Sequence, residues 1–201
     1  MGYDDSDPGR PAGRDGTSAP VAVKILVTGG FGVGKTTLVG SLTEIQPLRT
    51  EEVLTSAGAG IDAITGVPFK QTTTVAMDFG RITIHGGLVI YLFGMPGQDR
   101  FWFMWDDLSH GSLGAVVLAD VRRLGDCFPS IDYFEHRSTP FIVALNCFAG
   151  ARRHQENEVR RALDLDPHVP VVLCDARERG SCRDALVTMV DHAIDLVACA
   201  R

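Results

Sequence analysis

Apolar positions along the chain follow two alternating patterns. Short continuous runs rich in Val, Ile and Leu are interleaved with stretches in which apolar residues recur every three or four positions. The first run, residues 21–29, ends in glycine and predicts a strand. Residues 35–45 carry Leu38, Leu42 and Ile45 on one stripe and predict a helix. A polar, glycine-containing stretch without clear periodicity follows as far as Gln71. Runs at 74–84 and 88–94 are separated only by His85, Gly86 and Gly87. That connection is too short for a parallel crossover, so it predicts an antiparallel hairpin. Runs at 114–120, 140–146 and 169–175 each finish on a polar residue, and amphipathic segments at 130–137, 156–165 and 183–198 predict helices.

The order of these elements predicts an α/β three-layer domain. Its six-stranded, mostly parallel sheet has one antiparallel hairpin strand and helices on both faces. Ligands of such sheets bind beyond the carboxyl ends of the strands, so Gly29, Gly94, Asp120, Asn146 and Asp175 are expected along one rim. Residues 1–20 contain Gly, Pro, Asp and Arg but almost nothing apolar, and are expected to form a disordered tail before a single domain over 21–201. Composition narrows the class further. With 201 residues, 45% hydrophobic, the chain can bury a full core. A net charge of −6 gives a nucleic-acid partner no electrostatic support. No apolar stretch reaches the ~18 residues a membrane span needs, so no direct membrane insertion is expected. The five cysteines are scattered without a C-x-x-C pair, the pattern of reduced thiols in a cytoplasmic protein.

The chemistry concentrates where the first strand meets the first helix. Gly29, Gly30, Phe31, Gly32, Val33, Gly34, Lys35, Thr36 and Thr37 fit G-x-x-x-x-G-K-[ST] in the strand–turn–helix context that this motif requires. Glycines let successive backbone N–H groups point inward at a β-phosphate, and the helix N-terminus adds partial positive charge. Lys35 is placed to reach the β- and γ-phosphates, and Thr36 to offer its hydroxyl to Mg²⁺.

From this loop onward the chain resembles the Ras-like small GTPases. Gly97-Gln98-Asp99-Arg100-Phe101 is similar to the family's G-Q-E-R-F, and residues 74–80, TVAMDFG, to its T-I-G-V-D-F-G. The resemblance spans about residues 21 to 197. It is closest to the GTPases of actinobacterial conservon operons, with gliding-motility GTPases as more distant relatives. It implies a nucleotide-dependent switch in bacterial signalling that binds GTP or GDP with Mg²⁺ and hydrolyses GTP slowly, with ATP as an alternative nucleotide. In that reading Thr74 is the switch threonine that completes Mg²⁺ coordination, Gly97 donates its N–H to the γ-phosphate, and Gln98 orients the attacking water. The implied partners are a roadblock-type regulatory protein and a sensor-kinase-like protein of the same operon, in the cytoplasm or recruited to the membrane by them.

Four positions depart from the family's pattern. The aspartate that holds Mg²⁺ through water is replaced by Gly94, leaving Asp78 and Asp120 as substitutes. Phe31 stands where a glycine is usual and would crowd an activator's arginine. The base-reading N-K-x-D becomes Asn146-Cys147-Phe148-Ala149, without its lysine and aspartate. The later S-A-K loop becomes Asp175-Ala176-Arg177, whose Ala176 N–H is expected to meet a guanine O6. These departures support an alternative, a nucleotide-binding scaffold with little hydrolysis and weak GTP/ATP discrimination. A P-loop kinase or ATPase is a further alternative, with residues 175–180 as a thin candidate lid. In FWFMW, residues 101–105, five consecutive large apolar side chains cannot all face inward on a helix, so one or two are expected on the surface.

Overall fold

A computed structural model describes residues 20–46, 48–55, 72–84, 87–97, 99–148 and 154–199. The expected tail lies outside the described residues except for Pro20, as do Gln98 and Ala149. Seven strands appear in the order β1 (Val21–Gly29), β2 (Leu48–Thr55), β3 (Thr72–Ile84), β4 (Leu88–Gly94), β5 (Gly114–Ala119), β6 (Phe141–Asn146) and β7 (Val171–Cys174). The helices are α1 (Lys35–Leu42), α2 (Trp105–Ser109), α3 (Phe128–His136), α4 (Glu156–Ala162) and α5 (Arg179–Cys199). Short 3₁₀ turns at Asp99–Met104 and Leu124–Cys127 lead into α2 and α3.

The strands form one sheet in the order β2-β3-β4-β1-β5-β6-β7. β1 pairs in parallel with both β4 and β5, and β6 and β7 continue the parallel half. β3 runs antiparallel to β4, as the short connection dictates. The α/β architecture with its hairpin strand is therefore as the hydrophobic pattern predicts. The addition is β2, an edge strand antiparallel to β3 in register from Leu48↔Phe79 to Thr55↔Thr72. An edge strand has a neighbour on one side only and tolerates charge, so LRTEEVLT shows no clean apolar alternation.

Alternation along the strands divides the core in two. Ile25, Val27, Ile90, Leu92, Val116 and Leu118 pack under α1 and α5 with Leu38, Leu42 and Met189. Leu26, Ala115, Val117 and Val143 face the other way and pack with Trp105, Ile131, Phe134 and Val159 of α2, α3 and α4. β5 and β6 are buried along their whole length, which accounts for their unbroken apolar sequences. Both layers close over the middle of the sheet, so the loops at the carboxyl ends of the parallel strands β1 and β4–β7, with the part of antiparallel β3 beside the end of β4, hold the exposed chemistry.

Candidate functional site

β1 ends at Gly29, and the chain turns through residues 30–34 into α1. The turn uses left-handed backbone at Gly32 (φ 73°) and at Gly34 (φ 109°), conformations that side chains with a Cβ rarely adopt. Gly34 also caps α1 without a side-chain oxygen, and the first turn of the helix contains no acidic residue. The uncapped N–H groups of that turn are therefore free for an anion. Val33 is buried and anchors the loop, while the Phe31 side chain is 69% exposed at its crest. Thr36 and Thr37 follow Lys35 on the exposed first turn of α1.

Lys35 folds back over the loop, its Nζ donating to the carbonyls of Gly29 and Gly30 at 2.9 Å each. Burial of the ammonium pushes its pKa down from 10.5 to about 8, with the nearby Asp78 carboxylate opposing the shift. Gly97 closes the same space from above. A Cβ there would lie 2.6 Å from the Gly29 carbonyl oxygen and 2.7 Å from Lys35 Nζ, so only glycine permits this approach. The segment carrying Gly97 is fixed on both sides: Met95 N–H donates to the Val27 carbonyl at 2.8 Å, and Trp105 Nε1 donates to the Pro96 carbonyl at 3.1 Å.

The register of β3 and β4 sets where the two candidate carboxylates lie. Asp78 is the cross-strand partner of Gly94. Ile82 packs with the α1 side of the core, as do Ile90 and Leu92, so alternation turns Asp78 and Gly94 to that same face. There the Thr36 hydroxyl donates to Asp78 Oδ2 at 2.6 Å. A Cβ on Gly94 would come within 2.9 Å of Asp78 Cβ, so the two positions share one volume and only one can carry a side chain. Asp120 is engaged elsewhere. Arg122 grips it through Nε at 2.9 Å and Nη2 at 2.7 Å, which holds its carboxyl below the usual carboxylate range. Thr36 and Asp78 are hard oxygen donors of the kind a small divalent cation takes. Among the described residues no group of three or more His, Cys, Asp or Glu could hold a metal, so such an ion would take most of its ligands from water and phosphate.

At the far end of the rim, Asn146 ties three loops together. Its Nδ2 donates to the Val33 carbonyl at 2.8 Å, and its Oδ1 accepts the Ala176 N–H at 3.1 Å. The Ala176 amide, expected to meet a base carbonyl, is thus donated to Asn146 in this structure. Asp175 holds Arg177 through Nε at 2.9 Å and Nη2 at 2.7 Å, and this partner pulls its carboxyl down to about 2. Arg122 stacks 4.2 Å from the Phe148 ring centroid, linking the turn after β5 to the loop after β6.

The structure thus brings together Gly29–Lys35, Thr36, Gly97 and Asp78 at one end, and Val33, Asn146 and Ala176 at the other. It does not bring Thr74 to Thr36. Thr74 lies in β3 opposite Val53 of β2, four positions before Asp78, or ~13 Å along the strand. Sequence reasoning missed Arg123, whose Nη2 donates to the Phe31 carbonyl at 3.1 Å across 92 residues of chain, a separation no local pattern signals. Of the aromatic run, Phe101 and Trp105 are buried, while Trp102 and Phe103 are 41% and 64% exposed, as the helical geometry requires.

The depressed pKa of Lys35 makes nucleotide binding pH-dependent. Phosphates favour the charged ammonium, so binding raises the pKa, and above about 8 it is accompanied by proton uptake. Affinity is expected to be insensitive to this group below about 8 and to fall as pH rises above it. For the nucleotide-free fold the opposite trend is expected. The unfolded chain holds the proton more tightly, so stability from this group rises between about 8 and 10.5. Calorimetric titration at pH 9 in buffers of different ionisation enthalpy measures the uptake directly; buffer-independent heats would contradict this account.

A family model described as conserved hypothetical ATP binding protein matches residues 27–196. An uncharacterized protein of Methanocaldococcus jannaschii is 37% identical over 126 residues, 62% of this chain and 69% of its own. Among solved structures, the G domain of FeoB from Methanococcus jannaschii superposes with a TM-score of 0.57 at 14% identity, over 86% of this chain and 98% of that one. The G domain of the T. maritima FeoB iron transporter gives 0.58 at 20% identity, over 86% and 99%. The cytosolic domain of the same transporter in GDP form gives 0.61 at 19% identity over 87% of this chain, and the chain spans only 65% of that domain. At these identities the likeness is one of fold. The match over most of the chain places it in a family: the protein belongs to the conserved hypothetical ATP binding proteins, a nucleotide-binding family, and carries a G-domain-like α/β fold.

Proposed function

We propose that the protein is a nucleotide-controlled switch that binds a purine nucleoside triphosphate with Mg²⁺ and hydrolyses it slowly to diphosphate and phosphate. The observation that carries this reading is the 2.6 Å contact between Thr36 and Asp78 beneath a lysine-and-glycine cradle. It supplies the oxygen donors a triphosphate-bound Mg²⁺ needs, in a chain whose Gly94 cannot. The bound ion would neutralise charge on the β- and γ-phosphates. Thr36 would hold it directly, Asp78 would orient water around it, and Lys35 would hold the phosphates.

The switching part follows from where Thr74 lies. Thr74 is paired with Val53 four positions before Asp78, so engagement of a phosphate would call for the start of β3 to leave β2. Gln98, next to Gly97, would orient the attacking water. The exposed Trp102 and Phe103 lie just beyond it and offer a partner a surface whose position depends on the nucleotide. The resemblance to conservon-operon GTPases makes a roadblock-type protein and a sensor-kinase-like protein the partners to test, and supports a location in the cytoplasm with recruitment to the membrane by them. No helix of the described residues is long and apolar enough to cross a membrane.

GTP is the proposed nucleotide, with a modest margin over ATP. Both hydrogen-bonding ends of the Asn146 amide are spent on Val33 and Ala176, which leaves little to read the base. A non-hydrolysing scaffold is the second reading, favoured by the placement of Thr74 within the β2–β3 ladder.

Two variants test the proposal. Asp78→Ala is expected to weaken the Mg²⁺ dependence of nucleotide binding about ten- to a hundredfold. Gly94→Asp combined with Asp78→Gly, which also removes the Cβ that a side chain at 94 would meet, should restore much of it; a double variant as metal-insensitive as Asp78→Ala would remove the assignment. Gln98→Leu should slow single-turnover phosphate release by about tenfold or more while leaving affinity unchanged. Wild-type protein that binds triphosphate yet releases no phosphate over hours would favour the scaffold.

A further inference from the structure

Arg123 lies in the turn after β5. Its backbone N–H donates to the Asp120 carbonyl at 2.8 Å, which fixes the base of the side chain. The guanidinium then reaches the phosphate loop, with Nη2 donating to the Phe31 carbonyl at 3.1 Å. Two carboxylates lie nearby, Asp126 at 3.4 Å and Asp120 at 3.9 Å, and the side chain is 49% exposed. Asp126 itself packs against Gly30, where a Cβ would come within 2.5 Å of its own Cβ. The turn after β5 therefore touches the phosphate loop at two successive residues, Gly30 and Phe31.

Those residues border the place where this loop motif would hold a terminal phosphate. Lys35 Nζ sits on the carbonyls of Gly29 and Gly30, and Gly97 packs over the same atoms. A guanidinium on the Phe31 carbonyl stands one residue away from that frame. It is held loosely, since half-exposed ion pairs are weak. Its neighbour Arg122 is not available, being forked onto Asp120 and stacked on Phe148. The Phe31 ring is exposed at the loop's crest and would stand in the way of an arginine arriving from another protein.

We propose that Arg123 is an arginine finger supplied in cis. When a triphosphate binds, its guanidinium leaves the Phe31 carbonyl for the γ-phosphate oxygens and stabilises the charge that develops there. The inference rests on the hydrolytic reading above. In the step concerned, a water oxygen forms a bond to the γ-phosphorus. The bond from that phosphorus to the β–γ bridging oxygen breaks, and its electron pair stays on the diphosphate. The proton lost by the water passes to the released phosphate or to solvent. Arg123 exchanges no proton, and its effect is electrostatic and strongest in the transition state.

The test compares wild type, Arg123→Ala and Arg123→Lys in Mg²⁺ buffer, loaded with GTP for hydrolysis, with GDP for trapping, and nucleotide-free for affinity. Three quantities are read: single-turnover phosphate release from GTP, trapping of GDP with aluminium fluoride, and GDP affinity. Arginine fingers contribute about 10³–10⁵ in rate, and Arg123→Ala is expected to lose about a hundredfold or more and to trap no fluoroaluminate. GDP affinity and melting temperature should match wild type, because the finger contacts neither the diphosphate nor the core. Arg123→Lys should rescue little, since an ammonium cannot fork across two phosphate oxygens. A parallel loss of GDP affinity and rate in Arg123→Ala would show a brace for the phosphate loop and overturn the proposal. Unchanged rate and trapping in a hydrolysing protein would overturn it too, while the hydrolytic reading stood. Wild type that neither hydrolyses GTP nor traps fluoroaluminate would overturn that reading and the inference together.

Discussion

A threonine hydroxyl and a carboxylate 2.6 Å apart, from helix α1 and strand β3, organise the phosphate end of this molecule. The contact depends on ladder register. Asp78 and Gly94 are paired across β3 and β4, face the same side, and compete for one volume. A one-residue slip would turn Asp78 into the opposite core layer and leave Thr36 without its partner. The absence of a side chain at Gly94 is thus part of the site's construction: it makes room for the carboxylate of the neighbouring strand.

The remaining contacts of the site converge on the same few backbone atoms. Lys35 and Gly97 approach Gly29 and Gly30 from within the cradle, while Asp126 packs against Gly30 from the turn after β5. Asn146 holds the far side through Val33 and ties it to Ala176. A loop so rich in glycine has high conformational freedom by itself. Here it is held by four separate parts of the chain, which keeps the cradle's amides oriented. The side chains that hold it are polar, and among the described residues no buried side-chain polar atom lacks a partner.

Much of this was legible in the sequence. The strand–turn–helix around residues 29–37, the antiparallel pairing of β3 with β4 and the buried strands β5 and β6 have strong local signatures, and the structure follows them. β2 was not legible, because LRTEEVLT is an edge strand whose pairing with β3 leaves no apolar period. The choice between Asp78 and Asp120 was not legible either. Both stand near the correct rim, and only the register of β4, together with the grip of Arg122 two residues beyond Asp120, separates them. The motif match at Thr74 carried no information about its pairing with Val53, which is set by a segment of unremarkable sequence. Contacts across long separations, such as Arg123 with Phe31, are a property of the fold and have no local trace.

The central claim is that the cradle, Lys35 and the Thr36–Asp78 pair together form a magnesium-assisted nucleotide site. Equilibrium titration of the purified protein with a fluorescent GDP analogue, with Mg²⁺ and then with chelator, tests it most directly. The account predicts saturable binding at one site per chain, tight with Mg²⁺ and clearly weaker without it. Absence of saturable binding by guanine or adenine nucleotides at millimolar concentration, or an affinity indifferent to Mg²⁺, would contradict it.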